Sequence, residues 1–460
     1  AGSDEEAYSF AGLSSGTYPW LGAIETMMPV ERYGKDSRWR YVVPNSVNKV
    51  SYLWMQPQSR LRTTYNATAN TLVVECSWCS KSLSDELEDQ WYVLRHIVYN
   101  YDAIYMWHSR DVFLQRVTIY ASAGMGFRAD HGSGLTSLQD VAVLKRFDRA
   151  FSITADATHF MACSGHIDIV NSVFEGQGDD GLNVHGDFHF ISEFRAADNA
   201  VVFETQWEKG VPLMIGDRFR LQGRRSLEVL LDTSLLRADS ETPNRQVAYF
   251  RDPLPTALSI GDMFISLDRV PATSVHNSSW RECRCRGAVI STGSAPMIVK
   301  SSSFETTRSA IILIDGGVEP QCYHEGPFSQ NVVISGNLFT VGSDGYFPAV
   351  TDLPQSLGVV QVTAGVPKLD SEGMPEDSQP EMYAGSAVPF GAISIRDNHV
   401  VVGRSAPSSG RKLTPPAVFH VGYARQVEIS GNTIEFPAAS DGHFDFCVYN
   451  STFVNVTPTN

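Results

Sequence analysis

The chain has 460 residues, 43% of them hydrophobic and 19% charged, with a formal net charge of −15 and a pI near 5.2. That length suffices for two or three domains and a large buried core. The acidic balance argues against a nucleic-acid partner, since phosphate neutralisation needs clustered Lys and Arg, and no apolar run is long enough to span a bilayer.

The first residues, Ala1-Gly2-Ser3-Asp4-Glu5-Glu6, fit a mature chain after leader cleavage. Asn-x-Ser/Thr sequons at Asn66, Asn277, Asn450 and Asn455 are permissive for a secretory route, so an extracellular glycoprotein is expected. The seven cysteines include the close pairs Cys76/Cys79 and Cys283/Cys285. No histidine stands at ligand spacing beside them, so local or cross-rung disulfides are expected rather than zinc, with one cysteine left over. Neither a metal nor a cofactor is expected.

Residues 1–75 are irregular and rich in Ser, Tyr, Pro and Trp, and read as an N-terminal cap. Sustained 3.6-residue periodicity is nearly absent; the one short helix predicted is Ser84–Asp89. The chain is therefore expected to be all-β. Within 76–188 a repeat emerges: Leu114, Val117 and Ile119 recur as Leu138, Val141 and Val143, one strand-built coil later. The phrase apolar-x-apolar-x-x-Asn/Ser-x-apolar returns from Ile167 to Phe174, Met297 to Phe304, Val332 to Phe339, Ile393 to Val400 and Val427 to Ile434. Asn337, Asn398 and Asn432 share its turn position, where asparagine tolerates left-handed backbone and its amide can bond the next coil. Stacked inward side chains would form one continuous core. A right-handed parallel β-helix has this pattern; a β-sandwich, built on hairpins, does not.

Residues 189–285 lack the phrase and alternate apolar with polar, and Ile215-Gly216-Asp217-Arg218-Phe219 is echoed by Ile260-Gly261-Asp262-Met263-Phe264. A small antiparallel β-barrel or sandwich inserted between coils is predicted there. The second part of the β-helix then runs over 286–460, with a long loop at about 345–390 that is rich in Pro, Gly, Ser and acids.

The chemistry concentrates in Gly178-Asp179-Asp180-Gly181-Leu182-Asn183-Val184-His185-Gly186, with Asp156 and His159 one coil upstream. Asp156 and Asp180 fall in phase on neighbouring coils, about 4.8 Å apart, and flanking glycines let Asp179 bend into the same groove. Three carboxylates so close cannot all ionise cheaply, so at least one is expected to stay protonated near neutrality. Glycoside hydrolysis needs one acid to protonate the leaving oxygen and a second carboxylate for the water. A turn aspartate that only bonds backbone, or a calcium ion among the carboxylates, would explain the same residues less fully.

Thr154-Ala155-Asp156-Ala157-Thr158-His159-Phe160, Cys163-Ser164-Gly165 and Asp179-Asp180-Gly181-Leu182-Asn183-Val184-His185-Gly186 resemble the signature of the glycoside hydrolase family 110 α-galactosidases. Arg286-Gly287 and Glu325-Gly326-Pro327 are weaker echoes. The resemblance implies an inverting exo-enzyme on a parallel β-helix with barrel-like insertions, acting on terminal α-1,3-linked galactose of glycans. It places the catalytic acids on Asp156, Asp179 and Asp180, with Asp179 the general acid and Asp156 or Asp180, or both, the base. His159, Asn183, His185, Arg286 and Glu325 become substrate contacts. Trp107, Trp207, Trp280 and Tyr323 are candidates to stack on a sugar face.

Two other readings compete. A polygalacturonase-type hydrolase also mounts Asp and Asp-Asp a coil apart, but His185-Gly186 comes too soon after Asp180 and no Arg-x-Lys follows. A non-catalytic extracellular structural or glycan-binding β-helix, alone or in a homo-oligomer or larger assembly, would retain the framework without the reaction.

Overall fold

The structure, a computed structural model, describes residues 101–146, 151–205, 212–242, 244–283, 285–306, 311–316, 318, 324–341, 359–366, 381–382, 386–402, 418–435, 447–449 and 451–456. Before residue 100 it describes only the backbone of five strands, Gly16–Tyr18, Ala23–Met27, Leu61–Asn66, Thr71–Cys76 and Trp91–Arg95. Most of the N-terminal cap, the predicted helix Ser84–Asp89, Trp207 and Tyr323 lie outside the described residues. So does most of the loop at 345–390, although Val360–Val362 within it is a strand.

The described residues are all-β, with a single 3-10 turn at Ala196–Asp198 and no helix long and apolar enough to cross a membrane. Three long sheets hold nine, eight and ten strands, and in each the neighbours along the coil are parallel. Each successive segment gives one strand to every sheet, an arrangement consistent with a β-helix. The offset between coils is 24 residues in the regular turns, as between Asp156 and Asp180. It grows to 106 between Asp180 and Arg286, where the barrel is spliced in.

Apolar residues at alternate strand positions point inward and stack in rows, because successive side chains of a strand face opposite sides. One row runs Leu114, Leu138, Ile169, Val275, Val299, Ile334, Ile395 and Ile429. A second stacks rings: Phe174 on Trp280 at 5.0 Å, Trp280 on Phe304 at 4.8 Å, and Phe304 on Phe339 at 5.6 Å. Trp280 is thus core, completely buried, and does not serve as a sugar platform.

The asparagine ladder is present, with one correction. Left-handed backbone falls on the residue before each asparagine, at Gly336, Asp397 and Gly431, which frees the asparagine amides to bond across coils. The Asn398 side-chain oxygen accepts from the Asn337 N–H and amide (3.0 Å each), while its Nδ2 donates to the Ile334 carbonyl and to Asn432 Oδ1 (2.9 Å each). Asn398→Ala would orphan the buried Asn337 N–H and Ile334 carbonyl, and is expected to cost about 2–4 kcal/mol. Urea unfolding with an unchanged m-value checks it.

The insertion is a closed antiparallel barrel of six strands, in spatial order His189–Arg195, Ala200–Glu204, Arg245–Phe250, Val229–Thr242, Arg218–Gln222 and Met263–Ser266. Its core holds Ile191, Val201, Phe203, Phe219, Leu221, Leu235, Phe250 and Phe264. The echoed Ile-Gly-Asp-x-Phe phrases form the same turn twice. The Asp217 N–H donates to Met214 O and the Asp262 N–H to Ser259 O, with Gly216 and Gly261 at φ +92° and +89°, a backbone position open to glycine alone without strain. The coil resumes at Ala272–His276, which pairs with His166–Val170, and at Ser279–Cys283. The barrel's strands therefore end at Ser266 and do not reach 285. The returning coil hides from the apolar phrase because Thr273 fills its first inward position.

Cys283 and Cys285 do not form the expected local disulfide: both carry thiols, as does Cys163, and all three are buried. The side chains of Cys76 and Cys79 lie outside the described residues.

Candidate active site

The ten-stranded sheet carries the site on its outer face. Its strands Ile104–Trp107, Phe127–Asp130, Thr158–Met161, Leu182–Asp187 and Ala288–Ser291 lie side by side. Inward positions are apolar, such as Phe127, Phe160 and Val184. The outward rows read Tyr105, Arg128, His159, Asn183 and Trp107, Asp130, Met161, His185. Strict alternation thus collects on one face polar groups that are scattered along the chain.

Asp156 and Asp180 stand at the bend leading into the third and fourth of these strands, in phase as expected. Each does the work of a turn residue: Asp156 Oδ1 accepts the Asp180 N–H (3.2 Å), and Asp180 Oδ1 accepts the Arg286 N–H (3.0 Å). Asp102 Oδ1 accepts the Met125 N–H in the same way (2.7 Å). What separates Asp156 and Asp180 from plain turn residues is the second oxygen. Asp156 Oδ2 lies 2.8 Å from His159 Nδ1. Asp180 takes the Arg286 guanidinium side-on, Nε to Oδ1 and Nη2 to Oδ2, both at 2.8 Å.

Asp156 and Asp180 are buried, whereas Asp179 is partly exposed. Gly181 keeps this bend tight: a Cβ there would meet Gly287 O and Trp280 Cδ1, each at 2.4 Å. Burial, with Asp179, Asp180 and Glu325 nearby, raises Asp156 well above the usual carboxylate range. Asp180 is also raised by burial, against the pull of Arg286.

Glu325, 142 residues beyond Asn183, arrives by a different route. Strand Glu325–Gly326 runs antiparallel to the end of Leu182–Asp187, pairing Glu325 with Asp187 and Gly326 with Gly186. Gly326 is required there, because a Cβ would sit 2.1 Å from the Phe188 ring. Asn183 Nδ2 donates to Glu325 Oε1 (2.9 Å), and His185 Nε2 lies 3.8 Å from the same oxygen. Burial pushes Glu325 up, but His185, Arg286 and the Asn183 bond outweigh it and hold the carboxyl below its usual range. His159 Nε2 and His185 Nε2 are 3.3 Å apart, edge to face. Burial holds His159 low.

All eight residues singled out from the sequence, Asp156, His159, Asp179, Asp180, Asn183, His185, Arg286 and Glu325, therefore come together. Arg286, however, spends its guanidinium on Asp180. The sequence reading missed Asp130 and Arg128, one coil upstream of His159, where Arg128 Nη2 donates to Asp130 Oδ2 (2.6 Å), and Tyr105, whose hydroxyl donates to the same carboxylate (3.0 Å). That coil is 31 residues long, so its residues fall out of the 24-residue phase that relates Asp156 to Asp180. Trp107 is about half exposed, at 48%. A calcium cage is not what these residues offer. Among the described residues the close grouping is Asp179, Asp180 and Cys285, and a soft sulfur and an arginine-neutralised carboxylate do not suit a hard cation.

No family model matches the chain. It is similar to alpha-1,3-galactosidase A of Shewanella woodyi, 29% identical over 237 residues, covering 50% of this chain and 38% of that protein. Alpha-1,3-galactosidase B of Bacteroides thetaiotaomicron is 24% identical over 251 residues, 54% of this chain and 40% of the relative. Alpha-1,3-galactosidase A of Bacteroides fragilis is 24% identical over 357 residues, 74% and 56%. The chain thus spans about two fifths of the length of the first two relatives.

Proposed function

We propose that the chain is an inverting exo-α-galactosidase of the glycoside hydrolase family 110 type. On this reading it is built on a right-handed β-helix, the hand that parallel crossovers take, and removes terminal α-1,3-linked galactose from extracellular glycans. The observation that carries the reading is the convergence of Asp156, Asp179 and Asp180, from adjacent coils, on a polar outward face. Asp179, the most accessible of the three, is the general acid. Asp156 is the base that holds the water. Asp180, saturated by Arg286, orients that corner rather than moving a proton. Asn183 and Glu325 hold sugar hydroxyls; the buried Asn183 Oδ1 has no hydrogen-bond donor among the described residues.

The experiment is release of galactose from a terminal α-1,3-galactoside, with the first-formed anomer read by proton NMR. Inversion gives β-galactose first. Initial α-galactose would replace this mechanism with a retaining one, and no release would remove the activity.

A second reading is favoured by one feature: Asp156 and Asp180 each accept a backbone N–H from the next coil, as purely structural turn residues do. On that reading the chain binds glycans without cleaving them, and the same galactoside binds and is recovered intact.

A further inference from the structure

Three contacts run in a line from Asp156: Oδ2 to His159 Nδ1 at 2.8 Å, His159 Nε2 to His185 Nε2 at 3.3 Å, and His185 Nδ1 to the Gly186 carbonyl at 2.8 Å. A carbonyl only accepts, so His185 Nδ1 carries a hydrogen. Each of the other two contacts needs one proton between its atoms. With a single proton per contact and a neutral His159, only two arrangements remain. In one, Asp156 is a carboxylic acid donating to His159 Nδ1, His159 Nε2–H donates to His185, and His185 is neutral. In the other, both shared protons have moved one place along: Asp156 is a carboxylate accepting from His159 Nδ1–H, and His185 is an imidazolium donating to His159 Nε2. The proton count is the same in both.

We infer that His159 and His185 form a two-imidazole relay that draws the proton of Asp156 onto His185, and that Asp187, with Glu325, holds it there. This inference rests on the glycosidase reading for its consequence, since it leaves Asp156 ionised as a base. The surroundings of His185 favour the second arrangement. Its Nε2 lies 3.8 Å from Glu325 Oε1 and its Nδ1 lies 3.7 Å from Asp187 Oδ1, so a carboxylate stands at each end of the ring. Asp187 is buried, its Oδ2 has no hydrogen-bond partner among the described residues, and it lines a small open depression with His131, His189, Asp217 and Arg269. The residues beside His185 across the sheet, Met161 and Ser291, are uncharged. His159 faces Asp156 and His185, with Asp130, Arg128, Glu325 and Asp102 around it. Asp156 faces Asp179, Asp180, Glu325 and Arg286. Burial makes His159 a poor place for a charge, so the proton passes through it. The repulsion that would otherwise keep Asp156 protonated is offset by the positive charge gained on His185, and the net charge of the cluster does not change.

Asp187 is thus a positioning residue that acts through His185. The test compares the wild-type chain with His185→Gln and Asp187→Asn, using the infrared carboxylic-acid band of Asp156, identified by its loss when Asp156→Asn is added to each of these variants. The wild type should lack that band at pH 7 and both variants should gain it. In galactose release, the acid limb of the kcat/KM profile should move to higher pH by about one unit in His185→Gln, a tenfold loss on that limb, and by less in Asp187→Asn. A structural role would lower the profile without moving the limb. The band present in the wild type, or absent from both variants, overturns the relay. If the chain releases no galactose, the infrared result still decides it, so a failure of the glycosidase reading and a failure of the relay are distinguishable.

Discussion

Asp179→Asn should lower kcat for release of galactose from a natural α-1,3-galactoside by about 10²- to 10⁴-fold, the range that a positioned general acid supplies, with little change in KM. The size follows from geometry. Asp179 is the one carboxylate of the three that is not buried, next to a buried Asp156 and to an Asp180 already committed to Arg286. A galactoside with a good leaving group, which needs no protonation, should recover most of the rate in Asp179→Asn and none of it in Asp156→Asn, because the water still requires a base. The substitution also removes one of the charges that raise Asp156, so the variant should unfold no more readily than the wild type. Equal activity of wild type and Asp179→Asn on the natural substrate would discard the assignment.

The second large effect is on stability. Arg286→Met leaves Asp180 buried without its bidentate partner, and breaking such a pair costs about 3–5 kcal/mol. The sign of its pH dependence follows from linkage. Without the guanidinium, the folded-state pKa of Asp180 rises further above its unfolded value, so the folded state holds the proton more tightly. The deficit relative to wild type is then largest at pH 7 and shrinks as pH falls through the raised pKa. Adding Asp180→Asn should restore much of the loss at pH 7. Urea titrations at pH 7 and pH 5 measure both effects. A deficit of the same size at the two pH values would mean that the uncompensated charge lies elsewhere.

Local chemistry determined the coil and the position of its acids. Leu114, Leu138 and Ile169 are readable as one inward row because the strand period and the turn phrase leave apolar residues no other face to take. The interval of 24 residues between Asp156 and Asp180 puts them in phase whatever the rest of the chain does. The barrel was legible from two Ile-Gly-Asp-x-Phe turns, whose glycines require a backbone that other residues resist.

Other features were invisible in the sequence because they depend on which distant segments meet. The seam after the barrel was blurred by Thr273, which a buried coil accepts where its neighbours carry Ile or Met. Cys283 and Cys285, two residues apart, suggested a bond that the strand leaves unmade.

The sequence by itself determined an all-β coil that carries Asp156, Asp179 and Asp180 at one bend, since strand alternation and coil length are local properties. Only the tertiary structure decided what those acids touch. The antiparallel pairing of Glu325 with Asp187, the guanidinium of Arg286 on Asp180 across the inserted barrel, and the facing rings of His159 and His185 arise where separate coils pack together. Burial and charge at such contacts, rather than residue type, set which carboxyl keeps its proton.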